Sequence, residues 1–119
     1  MSHSAHQLGN AGEAAAVDYF LAHGFEIASR NYRYRRAEVD LIVRRTTQLL
    51  VFVEVKTRST VKFGYPEEFV TERKRHLFRL AAEQYQEETN WQGDIRFDIL
   101  ALTQMAAGFR IEHFEDAFW

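Results

Sequence analysis

The residues best placed to do chemistry are charged side chains that interrupt apolar runs. Glu54-Val55-Lys56 closes the run Leu49-Leu50-Val51-Phe52-Val53. In an extended strand Glu54 and Lys56 fall on one face, about 7 Å apart along the chain. Two ionised groups beside so apolar a stretch are costly unless something pairs with them. Asp40, followed by Leu41-Ile42-Val43, is a second acid in an apolar setting. A short turn near Thr46 and Thr47 would lay the two runs side by side, and that pairing can bring Asp40 near Glu54. Two carboxylates at close range repel and raise one another's proton affinity. A hard divalent cation resolves the conflict, because it prefers oxygen ligands and supplies the opposite charge. Glu13 is a third acid, in helical register with Ala16, Val17 and Phe20.

Such a set has a definite chemistry. Mg²⁺ or Mn²⁺ on Asp40, Glu54 and a backbone carbonyl, that of Val55, keeps several waters, and one of them can be activated to attack a phosphate in line. Lys56 then stabilises the extra negative charge of the transition state. The same residues also suit a buried ion-pair cluster with no catalytic role. Glu13 can equally form a capping pair with Asn10 or sit at the edge of its stripe. The five histidines, at positions 3, 6, 23, 76 and 113, have no metal-ligand spacing beyond a weak His3/His6 pair, and neither a Ser-His-Asp set nor a Gly-rich phosphate loop competes.

The elements that must position these groups follow from pattern. A helix is predicted over about Ser4–His23, opened by a Ser4/Gln7 capping box and stopped at Gly24, with Leu8, Gly12, Ala15, Ala16, Tyr19 and Phe20 inward. Phe25–Arg35 reads as a strand with Arg30, Tyr32 and Tyr34 on one face. Glu38–Val43 and Gln48–Thr57 read as an antiparallel hairpin, the second arm apolar on both faces as a central strand should be. Arg58–Tyr65 is predicted as loop, and Pro66 as the start of a helical turn. A long helix over about Thr71–Glu88 buries Leu77, Phe78, Ala81 and Tyr85, and strands near Ile95–Leu102 and Phe109–Phe114 close the chain. The order α-β-β-β-α-β-β describes an α/β fold, a mixed sheet flanked by helices. Arg96 and Asp98 share a face and read as a structural pair, and Phe118-Trp119 should dock on the chain's own core or on a partner subunit.

Composition bounds the class. A chain of 119 residues with 46% hydrophobic and 27% charged residues suits one globular domain, 1–119. The absence of cysteine excludes disulfides, thiolate metal sites and Cys nucleophiles. No apolar run approaches a membrane span, and the N-terminus lacks the pattern of a secretory signal, so a cytoplasmic protein without membrane association is expected. Net charge is −2, but residues 30–79 hold thirteen of the fifteen basic residues and six of the seventeen acids. That segment is +7 and the remainder −9, which suggests a face for a polyanion; a solvated surface with internal ion pairs is the other reading. Arg30, Arg33, Arg35 and Arg36 interleave with Tyr32 and Tyr34, as in a phosphate-gripping ribbon or an exposed face with Arg–Tyr stacking. Arg58 is placed to hold a neighbouring phosphate, and Lys74 either points toward the sheet or lies along its helix.

Five blocks occur in order: Gly9-x-x-Gly12-Glu13, Arg30-Asn31-Tyr32-Arg33, Glu38-Val39-Asp40-Leu41-Ile42, Phe52-Val53-Glu54-Val55-Lys56-Thr57-Arg58 and Arg96-Phe97-Asp98. Together they resemble the YraN-like family of small bacterial proteins, which looks like a branch of the PD-(D/E)xK nuclease superfamily and is similar to archaeal Holliday junction resolvases. The resemblance implies a restriction-endonuclease-like core, a metal held by Asp40 and Glu54, Lys56 acting on phosphate or water, and Glu13 matching the acid of the resolvases' first helix. Ala37 stands where the family usually has Gly, and Val39 where the superfamily has Pro. The function implied is a Mg²⁺- or Mn²⁺-dependent endonuclease on DNA, with branched DNA as a candidate substrate and Arg30, Arg33, Arg58 and Lys74 as nucleic-acid contacts. A homodimer is an expectation of the same kind, since the resolvases are dimeric and cutting two strands symmetrically needs two sites. A non-catalytic nucleic-acid-binding module on the same fold is the alternative, and an interaction protein with a purely structural acid cluster is a third.

Overall fold

A computed structural model describes residues 5–59 and 70–118. The elements run α1 (Ala5–Ala22), β1 (Glu26–Tyr34), β2 (Ala37–Arg45), β3 (Leu49–Arg58), α2 (Glu72–Thr89), β4 (Asp94–Met105) and β5 (Gly108–Phe114). This is the expected order. Arg58, expected in a loop, is the last residue of β3. The predicted cap at Ser4, the turn at Pro66 and the docking of Trp119 lie outside the described residues.

One five-stranded sheet holds the strands in chain order. β1, β2 and β3 form an antiparallel meander, β3 and β4 are parallel, and β5 returns antiparallel on β4. Only the parallel step needs a long crossover, and α2 lies within it. Each helix covers one face. Leu50, Phe52, Phe97 and Ile99 pack with Phe78, Ala81 and Ala82 of α2, whereas Val51, Val53, Leu100 and Leu102 pack with Ala16 and Phe20 of α1. Buried on both sides, β3 is apolar from Leu49 to Val53, which is why it reads so clearly in the sequence. Phe118 docks on the chain's own core, stacked on Phe97 with ring centroids 5.5 Å apart.

Local signals end the elements. Gly24 takes φ +84°, and the Phe25 N–H donates to the Phe20 carbonyl at 3.0 Å, closing α1. Thr71 caps α2, its hydroxyl accepting from the Lys74 N–H at 3.1 Å, and Asn90 ends the helix in the left-handed region.

Strict alternation fails in β1 and β2. Arg30 pairs with Leu41 of the α1-side core, yet Tyr32 pairs with Val39 of the α2-side core. Arg30 and Tyr32 therefore face opposite sides, which corrects the shared face expected from alternation. The reason is Asn31, whose φ of +52° turns the chain between them, so that Asn31 and Asp40 are skipped in the ladder.

α1 approaches β3 closely at one point. A Cβ built on Gly12 would lie 2.7 Å from Thr57 Cγ2 and nearer still to its hydroxyl, so only glycine lets the helix cross there. Gly12→Ala is expected to cost about 1–3 kcal/mol by overpacking, read from urea unfolding. An unchanged midpoint would show that α1 can shift freely over β3.

Candidate functional site

The β2–β3 ladder opens where the acids sit. Its last pair on this side is Leu41 with Val53. Beyond it, the backbone N–H of Val55 donates at 2.9 Å to a side-chain oxygen of β2, Asp40 Oδ2. Asp40 lies at the position where β2 changes faces, so its carboxylate can reach across the frayed edge rather than into either core. Glu54 lies on the α2 side of β3 and is 3% exposed.

Lys74, in the first turn of α2, donates from Nζ to Glu54 Oε1 at 2.8 Å, and Lys56 Nζ stands 3.8 Å from the same oxygen. The other oxygen, Oε2, is buried and has no hydrogen-bond partner among the described residues. Asp40 registers its company. Its carboxyl is pushed up to about 7 by burial first and then by the negative charge of Glu54, with Glu13 adding a little, while the Val55 N–H and Lys74 pull the other way. Glu54 is thus within strong Coulombic reach of Asp40, and Glu13, on α1, within weaker reach.

The sequence-predicted residues distribute unevenly. Asp40, Glu54, Val55 and Lys56 come together, and Lys74 joins them as the direct partner of Glu54. Glu13 approaches from the opposite helix. Among the described residues, no three His, Cys, Asp or Glu side chains converge as they would to hold a metal by themselves. The inner donor set is therefore two carboxylates. That fits Mg²⁺, which is held by one or two carboxylates and keeps several waters, and the partnerless Glu54 Oε2 is a donor of the right kind.

Arg58, at the end of β3, donates weakly to Thr103 at 3.5 Å. Arg33 is exposed and paired with Glu38 at 2.7 Å, and Arg30 is exposed on the edge strand. Arg35 stacks on Tyr34 at 5.2 Å, so the Arg–Tyr stacking reading applies to that pair.

A second polar cluster escaped the sequence in part. Asp98, with no exposed surface, receives two bonds of 2.8 Å from Arg96, one of 3.0 Å from the Asp116 N–H, and lies 2.6 Å from His113 Nε2. His113 Nδ1 is 3.0 Å from the Tyr19 hydroxyl. Burial alone would raise the Asp98 carboxyl, but the bonds from His113, Arg96 and Asp116 overcome it and leave it below its ordinary value. The Arg96–Asp98 pair follows from strand alternation. The His113 and Tyr19 contacts span 15 and 94 residues, and no local signal announces them.

Fold and site together define an α/β domain, a mixed sheet between two helices with a carboxylate pair, Glu54 buried and Asp40 half-buried, and two lysines where the parallel strands end. The chain belongs to the uncharacterised protein family UPF0102, whose profile matches residues 12–102. This bears out the YraN-like resemblance. It is 43% identical over 113 residues to a UPF0102 protein of Christiangramia forsetii, covering 95% of this chain and 94% of the relative. It is 41% identical over 126 residues to one from Chlorobium limicola, covering 100% and 97%. Among solved structures it is similar to Pyrococcus furiosus SfsA in complex with Ca²⁺, with a TM-score of 0.40 and 17% identity, over 92% of this chain but only 63% of that one. Among the described residues no helix is long and apolar enough to cross a membrane.

The raised Asp40 carboxyl has a consequence for stability. Between about pH 4 and about pH 7 the folded chain holds a proton that the unfolded chain has released, so stability falls as pH rises through that window and levels off above it. Asp40→Asn keeps an acceptor for the Val55 N–H and removes the titration. It is expected to flatten the profile and to stabilise the protein by about 1–4 kcal/mol near pH 8. Denaturant unfolding at about pH 5 and pH 8 decides this; a variant that still loses stability over the interval overturns the assignment.

Proposed function

We propose that this protein is a Mg²⁺- or Mn²⁺-dependent nuclease that hydrolyses DNA phosphodiester bonds. The observation that carries the reading is the pairing of half-buried Asp40 with buried Glu54, one Glu54 oxygen lacking a partner among the described residues and two ammonium groups standing beside the other. Structural acid clusters are normally satisfied, as Asp98 is; this one keeps an open acceptor and a neighbouring acid with a strongly perturbed pKa.

In this reading Asp40, Glu54 and the Val55 carbonyl hold the ion, with Glu13 as an outer carboxylate. The bound ion supplies Lewis acidity toward a phosphate oxygen and toward water. Lys56 lies on the same face of β3 as Glu54 and offers a positive charge to the phosphate as it becomes more negative. The Val55 N–H fixes the direction in which the Asp40 carboxylate points.

Charge around the site supports a polyanionic substrate. The β1–β2 turn carries Arg35 and Arg36, the end of β3 carries Lys56 and Arg58, and the first turn of α2 carries Arg73, Lys74 and Arg75. Antiparallel pairing of β2 with β3 puts all three at one end of the sheet. Arg30 and Arg33 extend the basic surface along the edge strand. Branched DNA is the substrate to test first, and a homodimer is the arrangement that would present two sites to two strands.

The test is a panel of duplex, flap, junction and single-stranded DNA with Mg²⁺ and with Mn²⁺. Cleavage of at least one substrate is expected, lost on adding chelator and reduced at least about 100-fold by Asp40→Ala or Glu54→Ala. Activity that survives both substitutions excludes this site. Salt-sensitive DNA binding without any cleavage would favour the non-catalytic binding module instead.

A further inference from the structure

Lys74 is badly placed for its own helix. It lies within the first turn of α2, where the exposed backbone N–H groups and the helix dipole disfavour a cation. Its backbone is pinned there by the Thr71 hydroxyl at 3.1 Å. Its ammonium nevertheless turns inward, 2.8 Å from Glu54 Oε1, and the Lys74 side chain keeps 39% of its surface exposed against 4% for that of Glu54. Thus a buried acid is neutralised by a cation that can still leave toward solvent. Lys56, 3.8 Å away and only 29% exposed, is held on the same strand as Glu54 and has less room to move.

We propose that Lys74 is the resident counter-ion of the metal-free site, occupying Glu54 Oε1 until a divalent cation takes its place. The inference rests on the metal reading above and adds to it a regulatory contact: Lys74 and the cation compete for one carboxylate. Metal-free, the lysine relieves the repulsion between Glu54 and Asp40 and keeps the site folded. With the ion in place, the ammonium is released at the rim, beside Lys56 and Arg58, among the groups that face an incoming phosphate. Because the lysine must be displaced, the site binds metal more weakly than its two carboxylates would on their own, and a variant without the ammonium should bind it better.

Calorimetric titration with Mn²⁺, at fixed ionic strength, tests this on the full chain and on Lys74→Gln, Lys74→Arg and Lys56→Gln. Lys74→Gln is expected to bind Mn²⁺ about tenfold more tightly than the parent chain, Lys74→Arg to stay near the parent, and Lys56→Gln to change less than Lys74→Gln. Melting in chelator and in Mn²⁺ gives a second readout: the Mn²⁺-induced rise in Tm should be larger for Lys74→Gln than for the parent. Equal or weaker Mn²⁺ binding by Lys74→Gln overturns the competition while leaving the metal site standing. An equal gain in Lys56→Gln overturns it too, since a general field effect would then account for the result. Absence of Mn²⁺ binding in every form overturns both the competition and the metal reading.

Discussion

A buried negative charge at the end of a central strand is the constraint around which this fold is arranged. Glu54 extends the most apolar run of the chain into a place with 3% exposure, where an unpaired carboxylate would be untenable. Relief comes from outside the strand. The β3–β4 crossover returns through α2, whose capped first turn delivers Lys74 to Glu54. Asp40 arrives from the hairpin partner, freed by the break in the β1–β2 ladder and tied to the Val55 N–H. Gly12 lets α1 cross β3 next to Thr57, three residues beyond Glu54, and so carries Glu13 to the same neighbourhood. Three separate stretches, α2, β2 and α1, therefore gather around the end of β3.

The two buried acids of the sheet were resolved in opposite ways. Asp98 is saturated: Arg96, His113 and the Asp116 backbone supply donors to both oxygens, and its carboxyl sits below the ordinary value. That arrangement ties β5 and the chain beyond it to β4, and through His113 to Tyr19 of α1. Glu54 has one satisfied oxygen and one without a partner among the described residues, and its charge adds to burial in raising its neighbour Asp40 to about 7. A saturated carboxylate has nothing left to offer a ligand. An unsaturated pair under mutual repulsion gains free energy when a cation arrives. The contrast within one small sheet separates a structural acid from a candidate functional one without appeal to any relative.

Much of this was legible in the sequence because its signals are periodic. The apolar run of β3, the short turn at Thr46 and Thr47, the Gly24 stop and the α2 stripe each specify an element, and together they give the order and the hairpin register near Glu54. Asp40 and Glu54 could be paired on that basis. What could not be read is what depends on exceptions to periodicity or on distance along the chain. Asn31 in the left-handed region reverses the faces of β1 and β2, and counting by twos placed Arg30 beside Tyr32 instead of opposite it. Helical register leaves Lys74 pointing toward the sheet or lying along its helix, and nothing local says that a residue 20 positions from Glu54 will bond to it. His113 and Tyr19 were invisible for the same reason.

The location of the site follows from topology as much as from residue type. In an open sheet with a parallel pair, a crossover helix leaves the carboxyl end of one strand, and that end is where backbone and side chains splay to leave a cleft. β3 and α2 meet at such an end, and the antiparallel turn between β1 and β2 projects beside it. Apolar side chains fill the middle of both faces, so the sheet has room for unpaired charge only at its margins. At the opposite margin, Gln48 and Asp94 are joined backbone to backbone at 2.8 Å and Gly93 packs against the carbonyls of Thr47 and Gln48, closing that end. The sheet is therefore sealed at one end, and the carboxylates, the two lysines and the arginine-bearing turn are gathered at the other.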